Sequence, residues 1–189
     1  MNKEIYRKKF IELYSRYVKR DGAEDLLKWI ENSDFFTAPA STKYHEVYEG
    51  GLCEHSVRVF NELARLVKAY PEVKVNVETA VIVTLLHDLC KIGCYKTELR
   101  NKKENGVWIQ VPFYTFDEDF SYGGHGSKSV YLIQKYMKLT DEEATAINCH
   151  MGPASGENSI FDAFRQYPLS FLLHTADMAS TIPGFNEGE

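Results

Sequence analysis

The sequence predicts a mainly α protein, a helical bundle interrupted by one small β-hairpin. Two observations predict the helices: apolar residues recur at three- and four-residue spacing along most of the chain, and capping or breaking residues bracket those runs. A third predicts the hairpin: Asn105-Gly106 stands before the alternating stretch Val107-Trp108-Ile109-Gln110-Val111.

The first helix carries Tyr6, Phe10, Leu13, Tyr14 and Tyr17, and Asp21-Gly22 breaks it. A second, short helix carries Leu26, Leu27, Trp29 and Ile30, and Pro39 and Gly50-Gly51 then punctuate a loop. From Leu52 a third helix runs to about Tyr70, stopped by Pro71. Asn76 is placed to cap a fourth, and Ala80 to Leu89 reads as helix buried nearly all round, because its side chains leave no polar face. Tyr95 to Phe116 is the hairpin. Gly123-Gly124-His125-Gly126 opens a helix carrying Val130, Ile133 and Met137. Thr140-Asp141-Glu142-Glu143 is a capping box for the next, which ends near His150-Met151-Gly152-Pro153. The last helix starts at Pro168, a favourable first-turn residue, and carries Leu169, Leu172, Leu173 and Ala176.

The chain has 189 residues, 44% hydrophobic and 26% charged, which is ordinary for a globular domain. A formal net charge of -5 argues against a general nucleic-acid-binding surface. No signal peptide and no apolar run long enough to span a bilayer is visible, so a cytoplasmic protein without membrane contact is expected. Cys53, Cys90, Cys94 and Cys149 form no CxxC pair and read as buried reduced thiols, although Cys90 and Cys94 would approach each other on a helix.

The chemistry centres on His87-Asp88, set inside the apolar run Leu85 to Leu89. Ionisable groups placed there must be paired, hydrogen-bonded or metal-bound, since an uncompensated buried charge is too costly. Imidazole with carboxylate is a donor set suited to a divalent transition metal. Other helices aim similar groups inward. His55 falls on the face marked by Leu52, Val59, Leu63 and Leu66, and Asp177 continues the four-residue step of Leu169 and Leu173. A single inward histidine is usually a hydrogen-bonded core residue, but three helices aiming such groups at one core fit a metal held within a bundle. His125, at a glycine-rich helix entry, and His150, at a helix end, suit the rim of a cavity, with surface or capping roles as the alternative.

The order His55, His87-Asp88, His125, His150, Asp177 resembles the HD superfamily of metal-dependent phosphohydrolases. Gly50-Gly51-Leu52-Cys53-Glu54-His55-Ser56 and His87-Asp88-Leu89-Cys90-Lys91-Ile92-Gly93 look like its motifs. More narrowly, Pro39-Ala40-Ser41, His45 and Tyr48 ahead of the double glycine resemble the HD domain of a bacterial 3′–5′ exoribonuclease family. The resemblance implies a single HD-type domain over residues 1–189, with 1–35 a helical extension and 36–180 the HD core. It implies two divalent transition-metal ions (Fe, Mn, Co, Ni or Zn). His55, His87, Asp88 and Asp177 would hold the first, and Asp88 would bridge to a second held by His125 and His150. Such a pair, roughly 3.5–4 Å apart, activates a hydroxide to attack phosphorus. Lys91, one turn beyond Asp88, would neutralise a phosphate oxygen beside the site or lie solvated at a helix end.

The implied activity is cleavage of a phosphoester of a nucleotide or oligonucleotide. A 3′–5′ exonuclease, a cyclic-nucleotide phosphodiesterase and a non-catalytic metal-bound regulatory module are the alternatives. Single-stranded nucleic acid is the partner that the narrower resemblance implies. The acidic chain, with two short helices where those nucleases carry an OB-fold, favours a small phosphorylated substrate, a nucleotide. Phe116-Asp117-Glu118-Asp119-Phe120 reads as a solvated loop, with binding of metal or substrate amines as the alternative, and Arg100, Lys102 and Lys103 as a solvated hairpin tip, with overhanging the pocket to meet substrate phosphates as the alternative. Tyr44, Tyr48, Trp108 and Tyr122 are equally placed to stack a base or to fill core and surface.

Overall fold

Along the residues described by the computed structural model, 3–117, 122–153 and 159–182, eight helices and one hairpin follow one another. They are α1 (Lys3–Tyr17), α2 (Ala23–Glu31), α3 (Gly51–Ala69), α4 (Val77–Leu86), β1 (Tyr95–Glu104), β2 (Val107–Phe116), α5 (His125–Gln134), α6 (Asp141–Cys149), α7 (Ser159–Gln166) and α8 (Pro168–Ser180). A 3₁₀ turn, Leu89–Lys91, follows α4.

Local chemistry sets most of these boundaries. The loop before α3 turns through Gly50 at φ +85°, and at Gly51 a Cβ would lie 2.1 Å from the Glu46 carbonyl oxygen, so only glycine fits there. The Asn76 side chain accepts from the Thr79 amide at 2.8 Å and starts α4. At α6, the Glu143 amide donates to Thr140 Oγ1 and the Thr140 amide donates to Glu143 Oε2, a reciprocal capping box. In the hairpin Asn105 and Gly106 both take positive φ, +49° and +84°, as a two-residue turn of the right handedness requires. The register pairs Tyr95 with Phe116 at the base and Glu104 with Val107 at the tip.

α3 lies at the centre, packed on α1, α4 and α8, and α6 packs on α5 and α8. Phe10, Leu26 and Ile30 from the two N-terminal helices join Leu52, Leu63, Leu85 and Leu173 in one core cluster, all fully buried. Arg20, just after α1, clamps this arrangement. It donates two hydrogen bonds, 2.7 and 3.0 Å, to the fully buried Glu143 carboxylate, which also accepts from Thr79 Oγ1 at 2.9 Å. With every oxygen satisfied the buried charge is tolerable, and removing either partner would strand the other.

Two boundaries and one helix differ from the sequence expectation. α4 stops at Leu86 rather than continuing to Leu89: the His87 ring takes the Thr84 carbonyl at 2.8 Å and the chain tightens into the 3₁₀ turn. No glycine or proline in the run marks such a stop. α5 ends at Gln134, short of Met137, which is nonetheless buried in the core. α7 was not anticipated, being only eight residues long. Among the described residues no helix is long and apolar enough to cross a membrane.

Candidate metal centre

Three histidines reach the middle of the bundle by repeated local devices. His87 and His150 each occupy the C-cap of a helix, α4 and α6, and each turns its Nδ1 back onto the carbonyl three residues earlier. Those bonds run to Thr84 at 2.8 Å and to Ile147 at 2.7 Å. His55, in the second turn of α3, places Nδ1 3.3 Å from Ser180 Oγ, whose hydroxyl donates to the Asp177 carbonyl at 2.7 Å. A carbonyl oxygen only accepts, and the Ser180 oxygen that has given its proton to Asp177 accepts from His55. Each Nδ1 therefore carries a proton, and each Nε2 presents a lone pair.

Those lone pairs converge with two carboxylates. His55 Nε2 lies 3.3 Å from His87 Nε2, 3.1 Å from Asp177 Oδ1 and 3.6 Å from Asp88 Oδ2. His87 Nε2 is 3.4 Å from Asp88 Oδ2 and 3.9 Å from Asp177 Oδ1, and His150 Nε2 is 3.6 Å from Asp88 Oδ1. His55, His87, Asp88 and His150 are all at most 2% exposed. The buried His150 Nε2 has no hydrogen-bond partner among the described residues. Lone pairs and carboxylates facing one another without water repel unless a cation lies between them. Nitrogen and oxygen donors bound at ~2.1 Å stand roughly 3–3.4 Å apart around one ion, so the observed spacing fits a divalent transition metal.

The same groups organise the charge around Asp88. Burial by itself would raise its carboxyl, yet the Lys91 ammonium holds it well below the usual carboxylate range. Lys91 Nζ sits 2.8 Å from Asp88 Oδ2 and 2.8 Å from the Ala40 carbonyl. Burial would lower its pKa, but Asp88 raises it overall, so the ammonium is firmly charged. Its side chain thus turns onto Asp88 rather than lying solvated at the helix end.

The expected groups are not equally placed. His150 is deep in the core rather than at a rim, because the ring turned back on Ile147 points inward from the end of α6. His125 is half-buried and lines the cavity, its Nδ1 3.5 Å from Cys90 Sγ and its ring stacked on Phe116 at 6.0 Å. It reaches that position because Gly126 lets α5 touch α6: a Cβ there would sit 2.3 Å from the Asn148 carbonyl oxygen. Among the described residues, the ligand groups within mutual reach are His55–His87–Asp88, His87–His150–Asp177 and His45–Glu46–His55, none including His125. Asp88 divides its two oxygens, Oδ2 towards His55 and His87 and Oδ1 towards His150.

Sequence reasoning missed Glu46 and Ser180. Glu46 is buried, accepts from His45 Nδ1 at 2.6 Å and from Arg58 Nη1 at 2.8 Å, and lies 3.9 Å from His55 Nδ1. No local pattern marks it, since an irregular loop creates its burial. The four cysteines are free and buried; Cys90 and Cys94 do not share a helix, and the Cys94 thiol donates to the Cys90 carbonyl instead. Arg100 lies over the Phe113 ring and Lys102 beside Glu104, both exposed on the hairpin. Trp108 is exposed near the hairpin tip, Tyr122 packs on Tyr131, and of the four aromatic candidates Tyr44 lines the cavity. Most of the acidic run after Phe116 lies outside the described residues.

Above the cluster opens a cavity of about 470 Å³, walled by Ala40 to Thr42, Tyr44, His45, Tyr95, Phe116, His125, Met151 and Met178, with Lys91, His55, Asp88 and Asp177 at its floor. The profile of the HD domain matches residues 52–181. A curated protein of Methanocaldococcus jannaschii, dihydroneopterin 2′,3′-cyclic phosphate phosphodiesterase, is 32% identical over 83 residues, covering 42% of this chain and 31% of that protein. The chain thus spans about a third of the length of the curated relative it matches. No solved structure matches.

Proposed function

The chain belongs to the HD-domain family of phosphohydrolases, and from that premise we propose that it is a divalent-metal-dependent phosphoesterase acting on a small nucleotide-like ester. The observation that carries this reading is the buried convergence of three imidazole lone pairs and two carboxylates beneath an open cavity, which His55, Asp88 and Asp177 line. His55, His87, Asp88 and Asp177 would hold one ion. Asp88, through its other oxygen, would share a second with His150 and His125. Divalent cations bound there supply Lewis acidity at a phosphoryl oxygen and lower the pKa of water.

The protein's own groups do the rest. Lys91 has three N–H donors; one goes to Asp88 and one to Ala40, which leaves the third for a phosphate oxygen. The Nδ1 bonds of His55, His87 and His150 fix ring orientation before any ion arrives, so little reorganisation accompanies binding. The curated relative is by name a cyclic phosphate phosphodiesterase, which favours a cyclic diester as the substrate chemistry.

Protein loaded with Mn²⁺, Fe²⁺ or Co²⁺ should hydrolyse bis(p-nitrophenyl) phosphate and 2′,3′-cyclic nucleotides, and chelation should abolish turnover. Elemental analysis should find two ions per chain. Metal-replete protein inert towards all these esters would reject catalysis in favour of a metal-bound regulatory module.

A further inference from the structure

We infer that the cavity selects a substrate carrying a single phosphate on a flat aromatic body, and discriminates against nucleoside polyphosphates and nucleic-acid strands. The inference rests on the phosphoesterase reading for where the phosphate sits, and adds what surrounds it.

Cations are scarce around the cavity. The chain has 22 lysines and arginines, and residues 1–2, 118–121, 154–158 and 183–189 contain none, so all of them fall among the described residues. One of them, Lys91, lines the cavity, and two of its three donors are committed to Asp88 and Ala40. The nearby cations are engaged elsewhere. Lys128 is buried against the Cys94 sulfur at 3.2 Å, and Lys96 pairs with Asp117 at 2.6 Å. At the lip, Lys43 lies 5.6 Å from the Tyr44 ring centroid. A strand or a triphosphate brings a run of charges that need a matching run of cations. Here one phosphate can be neutralised at the floor, and a second or third would meet no lysine or arginine lining the wall.

The wall offers apolar and aromatic surface instead. Tyr44, Met151 and Met178 line the cavity, yet are 84, 59 and 53% exposed. Large apolar side chains gathered uncovered around one mouth mark a ligand surface. Deeper in, Tyr95 and Phe116 add aromatic surface. Thioethers adapt to a flat ring and an aromatic face stacks on it, whatever its pattern of donors and acceptors.

The test is calorimetric binding to the full-length, Mn²⁺-loaded chain in ~0.15 M salt, using slowly hydrolysed phosphorothioates of AMP, ATP and a single-stranded hexanucleotide, with ribose 5-phosphate as the ring-free control. The AMP analogue should bind about tenfold more tightly than each of the other three. The double variant Tyr44→Ala/Met178→Ala, altering exposed side chains, should weaken the AMP analogue roughly tenfold and leave ribose 5-phosphate unchanged. Equal or tighter binding of ATP or the hexanucleotide, absence of binding by the AMP analogue, or an unchanged affinity in the double variant would overturn the inference. The expected binding pattern without hydrolysis of bis(p-nitrophenyl) phosphate would sink the phosphoesterase proposal and uphold this one. Hydrolysis of that ester with ATP-preferring binding would do the reverse.

Discussion

The His87-Asp88 corner of the buried cluster and the hairpin are neighbours in sequence, separated by one 3₁₀ turn, yet they are built on opposite principles. In the cluster, each imidazole is fixed through its Nδ1 by a partner from another element or by a helix end, and burial is nearly complete. In the hairpin, two residues with positive φ set the register, and side chains such as Leu99, Val107 and Trp108 remain 63, 63 and 68% exposed. A two-stranded ribbon of this kind has little stability of its own. The difference teaches that the bundle carries both the fold and the chemistry, whereas the hairpin lends the site only its base, Tyr95 and Phe116.

That contrast can be broken most directly at Asp88. Asp88→Asn should lower hydrolysis by about 10³-fold or more, because a neutral amide cannot supply the charge that the ions require. It also strips Lys91 of its buried counter-ion, so urea unfolding should show a loss of about 3 kcal/mol. Glu104→Gln, at the exposed hairpin tip beside Lys102, should change neither quantity.

A second comparison sets two glycines against each other. Gly126→Ala forces a Cβ onto the Asn148 carbonyl oxygen and should destabilise the chain by roughly 1–3 kcal/mol, while displacing His125. Gly106→Ala meets open space and only strains a left-handed residue, a local cost of about 1 kcal/mol that global unfolding should not register. Equal losses of Tm would show that the hairpin folds as part of the bundle.

Excising residues 96–115 and joining Tyr95 to Phe116 through a two-residue Asn-Gly turn is a gentler probe. Metal content should be unchanged, and Tm should move by only about 2 °C, since few core contacts are removed. Loss of the bound ions would place the hairpin within the site's architecture.

The smallest effect concerns the core thiols. Burial pushes Cys53 and Cys90 up to about 12, and the Asp88 carboxylate adds to the effect at Cys90. Unfolded thiols ionise near ~8.5. Between there and about 12 the unfolded chain binds fewer protons than the folded one, so stability should fall as pH rises. Near pH 8 the native protein should react slowly with a disulfide reagent at these two positions, and all four cysteines should react in urea. Rapid native labelling of Cys90 would reveal a cluster that opens to solvent.

Sequence alone determined the hairpin at Tyr95 to Phe116, the Asn76 cap, the Thr140 capping box, the start of α8 at Pro168, and the order of histidines and aspartates along the chain. Each of these is written within a few residues: a cap, a turn or a period acts on its immediate neighbours, and the chain states it openly. The tertiary structure alone decided that α4 stops at Leu86, that His150 lies in the core while His125 stays at the wall, and that Lys91 turns onto Asp88 and Ala40. It also recruited Ser180 and Glu46 behind His55. A buried polar group takes its orientation, its proton and its charge from whatever faces it across the core, and those partners lie tens of residues away, where no periodicity reaches.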